Sequence, residues 1–109
     1  MLAWLFVGHM TGDFLLQTRW MADEKNTSWI ALIVHSITYT LSVYIFSIAA
    51  GGLSSLGLVL IFIGHLVLDK RSLVAWWTSN INGSPDLPWM KMLVDQSWHV
   101  LLLALAAFI

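Results

Sequence analysis

Cysteine is absent from this sequence. That excludes a disulfide framework, thiolate metal sites and thiol nucleophiles, so any metal must be held by nitrogen and oxygen. Charge is scarce as well: Asp, Glu, Lys and Arg make up 10% of the residues and the net charge is −1. No basic stripe exists that could neutralise nucleic-acid phosphates. Proline occurs twice, and the first apolar stretch has no basic segment before it and is interrupted by His9 and Asp13. It therefore reads as a mature helix rather than a cleavable leader.

What is present is apolar. Hydrophobic residues account for 59% of 109 residues, and the mean hydropathy is +0.80, well above soluble proteins. One length and one composition predict a single domain spanning residues 1–109. Apolar runs at Leu2–Leu16, Trp29–Ala50, Leu53–Leu68 and Trp89–Ile109 predict an all-α, integral membrane four-helix bundle with helices at about 2–18, 28–50, 53–71 and 88–109. Asn26, Thr27 and Ser28 are expected to cap the second helix, Gly51 and Gly52 to end it, and Asp86 with Pro88 to open the fourth. Ser72–Trp77 is expected to lie as an interfacial tail of the third.

Five basic residues set the orientation. Arg19 and Lys25 fall in the first connection, and Lys70, Arg71 and Lys91 in or beside the third. Both termini are thus expected on the non-cytoplasmic side. Trp20, Trp29, Trp76, Trp77 and Trp89 fall at the same face and suit an interfacial belt.

With this topology, His9, Asp13, His35, His65, Asp69, Asp95 and His99 all lie within roughly 2 to 17 Å of the cytoplasmic boundary. That layer holds every histidine and three of the six acids; Asp23, Glu24 and Asp86 are in connections. An intramembrane Asp costs about 2.5 to 3.5 kcal/mol unless it has partners. His9/Asp13, His65/Asp69 and Asp95/His99 are each four residues apart, which stacks them on one helix face. Gln17 continues the first face, and Tyr39 follows His35 by four. Gly8 and Gly12 form a small-xxx-small pair that admits a neighbouring helix.

The chain also repeats itself. Phe6-Val7-Gly8-His9 with Asp13 recurs as Phe62-Ile63-Gly64-His65 with Asp69, and Trp29–Val34, His35 and Tyr39 align with Trp89–Val94, Asp95 and His99. The bundle is therefore read as two similar helical hairpins about an axis along the membrane normal. Seven candidate ligands exceed the need of one tetrahedral ion, which predicts one or two divalent metals: zinc first, with iron or manganese also suited to imidazole and carboxylate. Asp95 or Asp13 is the candidate for proton relay. Lys70 and Arg71, with Gln17 and Gln96, are the candidates for orienting an anionic group.

These same residues carry a resemblance. His9-x3-Asp13-Phe14-Leu15-Leu16-Gln17, then Trp20-Met21-Ala22-Asp23 and Lys25, His35, His65-x3-Asp69-Lys70, and Asp95-Gln96-x2-His99 resemble the bacterial and phage membrane family called domain of unknown function 3307. Membership would imply a bacterial inner membrane setting. The His-x3-Asp pairs are also similar, at motif level, to those of inner-membrane metal-dependent hydrolases and, more loosely, of zinc-dependent phospholipases C. The leading expectation is a hydrolase acting on a phosphoester of a lipid or headgroup at the cytoplasmic face. The alternatives are a channel or carrier subunit for divalent metal or protons, and a non-enzymatic accessory membrane subunit. A di-iron redox protein is disfavoured, because Glu-x-x-His spacing is missing. Expected partners are the lipid bilayer and an anionic lipid or other phosphate-containing substrate; a homo-oligomer stays open.

Overall fold

The computed structural model describes residues 1–25, 27–70 and 72–109, and its described residues form helices and turns with no strand. Among the described residues six α-helices follow one another: α1 (Leu2–Met10), α2 (Arg19–Glu24), α3 (Trp29–Ser47), α4 (Ser55–Asp69), α5 (Ser72–Asn80) and α6 (Pro88–Phe108). A π-helical segment, Thr11–Leu15, prolongs α1, and a 3₁₀ turn, Ile48–Ala50, prolongs α3. The two additions to the four expected helices, α2 and α5, lie where the sequence reads a connection and an interfacial tail.

Local chemistry accounts for the boundaries. Thr18, Ser28 and Ser54 each stand at an N-cap, their side-chain oxygens accepting from the amides of Met21, Ala31 and Gly57. Asn26, expected among the caps, lies outside the described residues. Pro88 occupies the first turn of α6, where its missing amide costs nothing, and no side chain caps that end. Gly51 closes α3 at φ 101, a left-handed conformation in which a Cβ is penalised. Gly51→Ala is expected to lower stability by about 1 kcal/mol, read as an earlier unfolding midpoint in detergent, with no change at the site.

α1 packs on α3 and α4 on α6, with α3 against α4 and α1 against α6 completing the arrangement. Gly8 makes the first of these contacts close: a Cβ there would stand 2.7 Å from Val43 Cα, and one at Gly12 would stand 3.0 Å from Tyr39 Cα. Ser42 Oγ uses the proximity to donate to the Gly8 carbonyl at 2.9 Å. Gly64, the counterpart of Gly8 in the repeat, meets the side chain of Leu102 on α6. The small-xxx-small reading thus corresponds to an observed helix approach.

Ionisable side chains share the interior with an apolar core, and many large apolar side chains face outward. All four histidines are fully buried, and Asp13 and Asp69 nearly so, whereas Ile30, Ile37, Leu41 and Ile45 on α3 and Leu93, Leu101 and Leu105 on α6 are exposed. The apolar core, Leu5, Tyr39, Val43, Ile61, Leu103 and Ala106, lies at one end of the polar layer. Two helical stretches, Trp29–Ala50 and Pro88–Phe108, are long and apolar enough to cross a membrane; Ser55–Asp69 is apolar and shorter.

Candidate metal centre

Steps of four residues bring the site together. Along α1 and its extension the chain reads Leu5, His9, Asp13; along α4 it reads Ile61, His65, Asp69. Running the other way, α3 presents His35, Tyr39, Val43 and α6 presents Lys91, Asp95, His99, Leu103. Because i,i+4 positions share a helix face, packing the four faces together stacks an apolar layer, a His/Tyr layer and a carboxylate layer.

The π-helical segment adjusts this register at one point. Leu16 N–H bonds to the Thr11 carbonyl five residues back, at 2.9 Å, so the turn containing Asp13 is wider than an α-turn. The consequence is visible in the two His-x3-Asp pairs. His65 Nε2 lies 2.8 Å from Asp69 Oδ2, whereas His9 Nδ1 lies 3.9 Å from Asp13 Oδ2. Asp13 instead faces the histidines of the other helices.

Asp13, His65, Asp69 and His99 form the cluster: one ligand atom from each lies within 4.8 Å of all the others, and all four residues are buried. Four ligands at about 2.1 Å around a tetrahedral ion would stand about 3.4 Å from one another. The histidine-to-carboxylate separations bracket that value. His65 Nε2 is 2.8 Å from Asp69 Oδ2 and 3.8 Å from Asp13 Oδ1; His99 Nε2 is 3.6 Å from Asp69 Oδ1 and 3.9 Å from Asp13 Oδ2.

Hydrogen bonding points the same way. His99 Nδ1–H donates to the Asp95 carbonyl at 2.7 Å, which leaves the Nε2 lone pair facing the cluster. His99 Nε2, His65 Nε2 and Asp69 Oδ2 are buried without an aligned hydrogen-bond partner among the described residues. The short His65–Asp69 contact is thus off the N–H axis, as when two donors converge on a third atom. Buried polar atoms are rarely left so. Two carboxylates converge here, and among the described residues the ammonium within 4 Å of either is Lys25, whose Nζ is 3.4 Å from Asp69 Oδ2. One negative charge is left over, which favours a bound cation.

The other expected ligands surround this set. His35 Nε2–H donates to Asp13 Oδ1 at 3.0 Å and is also 3.0 Å from Asp69 Oδ2, so it stands between the two carboxylates and orients them. His9 has both ring nitrogens engaged: Tyr39 O–H donates to Nδ1 at 2.8 Å, and Nε2–H donates to Gln96 Oε1 at 2.7 Å. The Gln96 amide in turn donates to Asp95 Oδ2 at 3.4 Å. Asp95 lies beside the cluster rather than within it, with Oδ1 3.5 Å from His99 Nδ1.

The duplication is therefore asymmetric in its chemistry. Tyr39 occupies the place in the first hairpin that His99 occupies in the second. Its hydroxyl serves His9, and its ring stacks on His65 at 3.9 Å between centroids. One half offers nitrogen ligands; the other is closed by hydrogen bonds.

The residues expected to meet an anion are distributed differently. Lys70 Nζ stands 3.7 Å over the Trp29 ring, a cation–π contact, and Arg71 lies outside the described residues. Gln17 and Gln96 do line a cavity of about 420 Å³ that reaches Asp13 and Asp95, together with Lys25 and Lys91. Lys25 donates to Gln17 Oε1 at 2.8 Å. Sequence reasoning had read both lysines for orientation alone. The signal that could have found Lys91 is its place one helical step before Asp95.

Two comparisons give no match: no curated protein and no solved structure is recognisably similar to the chain. A family profile described as "Protein of unknown function (DUF3307)" matches residues 1–109. That span takes in every residue of the cluster and both hairpins, so this chain belongs to the DUF3307 family.

Proposed function

We propose that this chain is an integral membrane four-helix protein holding one divalent metal at Asp13, His65, Asp69 and His99, and that it uses the metal to hydrolyse a phosphoester of a lipid or headgroup near the cytoplasmic face. The observation that carries the proposal is the buried two-histidine, two-carboxylate cluster, drawn from three helical segments and adjoining a cavity that Lys25, Lys91, Asp95 and Gln96 help to line. Zinc suits such a tetrahedral set, and iron or manganese also accepts these donors.

The exposed apolar faces of the helices and the burial of the ionisable residues support the membrane setting. So does the length of the molecule, 41 Å along its principal axis, close to a bilayer with its headgroup regions. α3 and α6 would span fully, while α4, with 15 residues, covers about 22 Å and ends inside the boundary. The placement of the basic residues supports both termini on the non-cytoplasmic side, and the resemblance to bacterial and phage membrane proteins supports a bacterial inner membrane.

In this reading a bound metal supplies an activated water, lowering its pKa to about 7. The protein's own residues do the rest. His35 fixes the two carboxylates, the Asp95 carbonyl fixes the His99 ring, and Asp95 itself is the carboxylate at the cavity floor suited to relay a proton. A transport path is the weaker reading, because Leu5, Val43, Ile61 and Leu103, all fully buried, close the far end of the polar layer.

Protein purified in detergent without chelator is expected to carry about one metal per chain by elemental analysis. It should cleave a generic phosphodiester reporter, losing the activity to a chelator and regaining it with zinc. Protein free of metal under those conditions overturns the proposal; metal without hydrolysis overturns its enzymatic part.

A further inference from the structure

The cavity beside the cluster has a composition of its own. It lies between the extension of α1, α5 and the N-terminal part of α6. Its polar side carries Lys25, Lys91 and Gln17 above Asp13, and its other side is apolar: Phe14, Val74, Pro88 and Met92. The two lysines differ in their engagement. Lys25 is buried and held by Gln17 and Asp69. Lys91 is exposed, and among the described residues no ion pair or hydrogen bond of its side chain is found.

A cavity lined by one exposed ammonium, Lys91, and one buried ammonium, Lys25, beside the carboxylates Asp13 and Asp95, favours an anion that arrives from outside. The apolar wall favours a ligand with a hydrocarbon portion, since burying each CH2 contributes about 0.8 kcal/mol. A volume of about 420 Å³ lies within the range of small-molecule sites, and takes a headgroup with the first part of a chain rather than a whole lipid.

We infer that this recess binds a phosphate-bearing amphiphile, its phosphate between Lys91 and Lys25 and its apolar portion leaving along Phe14, Pro88 and Met92. The inference rests on the metal-centre reading for its orientation, since it delivers the phosphate to the side of Asp13 that faces the cavity. Lys91 is the discriminating partner: it lies on the surface of the first turn of α6, away from the four-residue cluster.

The test uses the full chain in detergent micelles, zinc-loaded, with three probes: a fluorescent short-chain phosphatidic acid in its non-hydrolysable phosphonate form, the matching diacylglycerol and glycerol 3-phosphate. Phosphatidic acid should bind and diacylglycerol should not. Lys91→Gln should weaken phosphatidic acid binding about tenfold and Lys91→Arg should keep it, consistent with the contribution of one charged hydrogen-bond partner. Metal content, measured on the same samples, should be equal in all three proteins. Failure of the site is thereby separated from failure of the metal centre. Equal binding of diacylglycerol, or unchanged affinity in Lys91→Gln, overturns the inference; glycerol 3-phosphate binding as tightly as the lipid overturns the apolar part of it.

Discussion

Replacing Asp69 by alanine is expected to weaken metal binding by more than about 100-fold and to abolish hydrolysis. The estimate follows from its position. One oxygen lies 2.8 Å from His65 Nε2 and the other 3.6 Å from His99 Nε2, so this carboxylate is the one that touches both ligand histidines most closely. Loss of a residue that merely supports a metal ligand costs 10- to 100-fold, and loss of a ligand should exceed it. Stability should fall as well. Among the described residues Lys25, buried and 3.4 Å from Asp69, would keep Gln17 as its partner, and stripping one partner from a buried ion pair costs about 3 to 5 kcal/mol. Asp69→Asn retains the shape and separates the two effects. The control is His9→Gln, which removes a residue whose nitrogens are already taken by Tyr39 and Gln96 and should leave one metal per chain. Competition with a metal-binding dye measures both, and wild-type affinity in Asp69→Ala would refute the assignment of the cluster.

The second large effect is expected at Gly8. A Cβ there would lie 2.7 Å from Val43 Cα and 3.0 Å from the Ser42 carbonyl oxygen. Both are backbone atoms, so no rotamer change relieves the clash and the two helices must separate. Overpacking of this kind costs about 1 to 3 kcal/mol, and separation also breaks the bond from Ser42 Oγ to the Gly8 carbonyl. Gly8→Leu should therefore prevent stable assembly, and Gly8→Ala should shift the unfolding midpoint in mixed micelles by an amount in that range. Gly64→Ala should cost less, because the atoms its Cβ meets belong to the Leu102 side chain, which can rotate. Equal effects at the two glycines would contradict the observed α1–α3 packing. Since Asp13 lies on the same segment as Gly8, the Gly8 variants should also lose metal.

Much of this arrangement was legible in the sequence because it is written in steps of four. The i,i+4 spacing of His9/Asp13, His65/Asp69 and Asp95/His99, and the duplication of two hairpins, put the ionisable residues in one layer without any structure. Spacing fixes a face but not the rotation of that face against its neighbours. It therefore counts seven donors and leaves undecided which four converge. The wide turn at Thr11–Leu15 has no counterpart at His65–Asp69 although the motif is the same, so local sequence does not announce it; the difference arises where Gly12 packs against Tyr39. Charge location was legible, charge direction less so. Lys70 follows Asp69 in sequence, yet its ammonium lies on Trp29, while Lys25, distant in sequence, reaches Asp69.

Tyr39 and His99 occupy equivalent places in the two halves, and only one of them offers a nitrogen to the cluster. Two separate copies of a single hairpin, paired about an axis, would have to carry the same residue at both places, and would offer either two ligands or two phenols. Joining the copies into one chain removes that constraint. Each half can then change independently, so the loss of a ligand from one half need not remove it from the other. The linkage between the hairpins is in this sense what permits division of labour: the second half supplies both histidines of the cluster with Asp69, while the first adds Asp13 and, through His9, His35 and Tyr39, the hydrogen bonds around it.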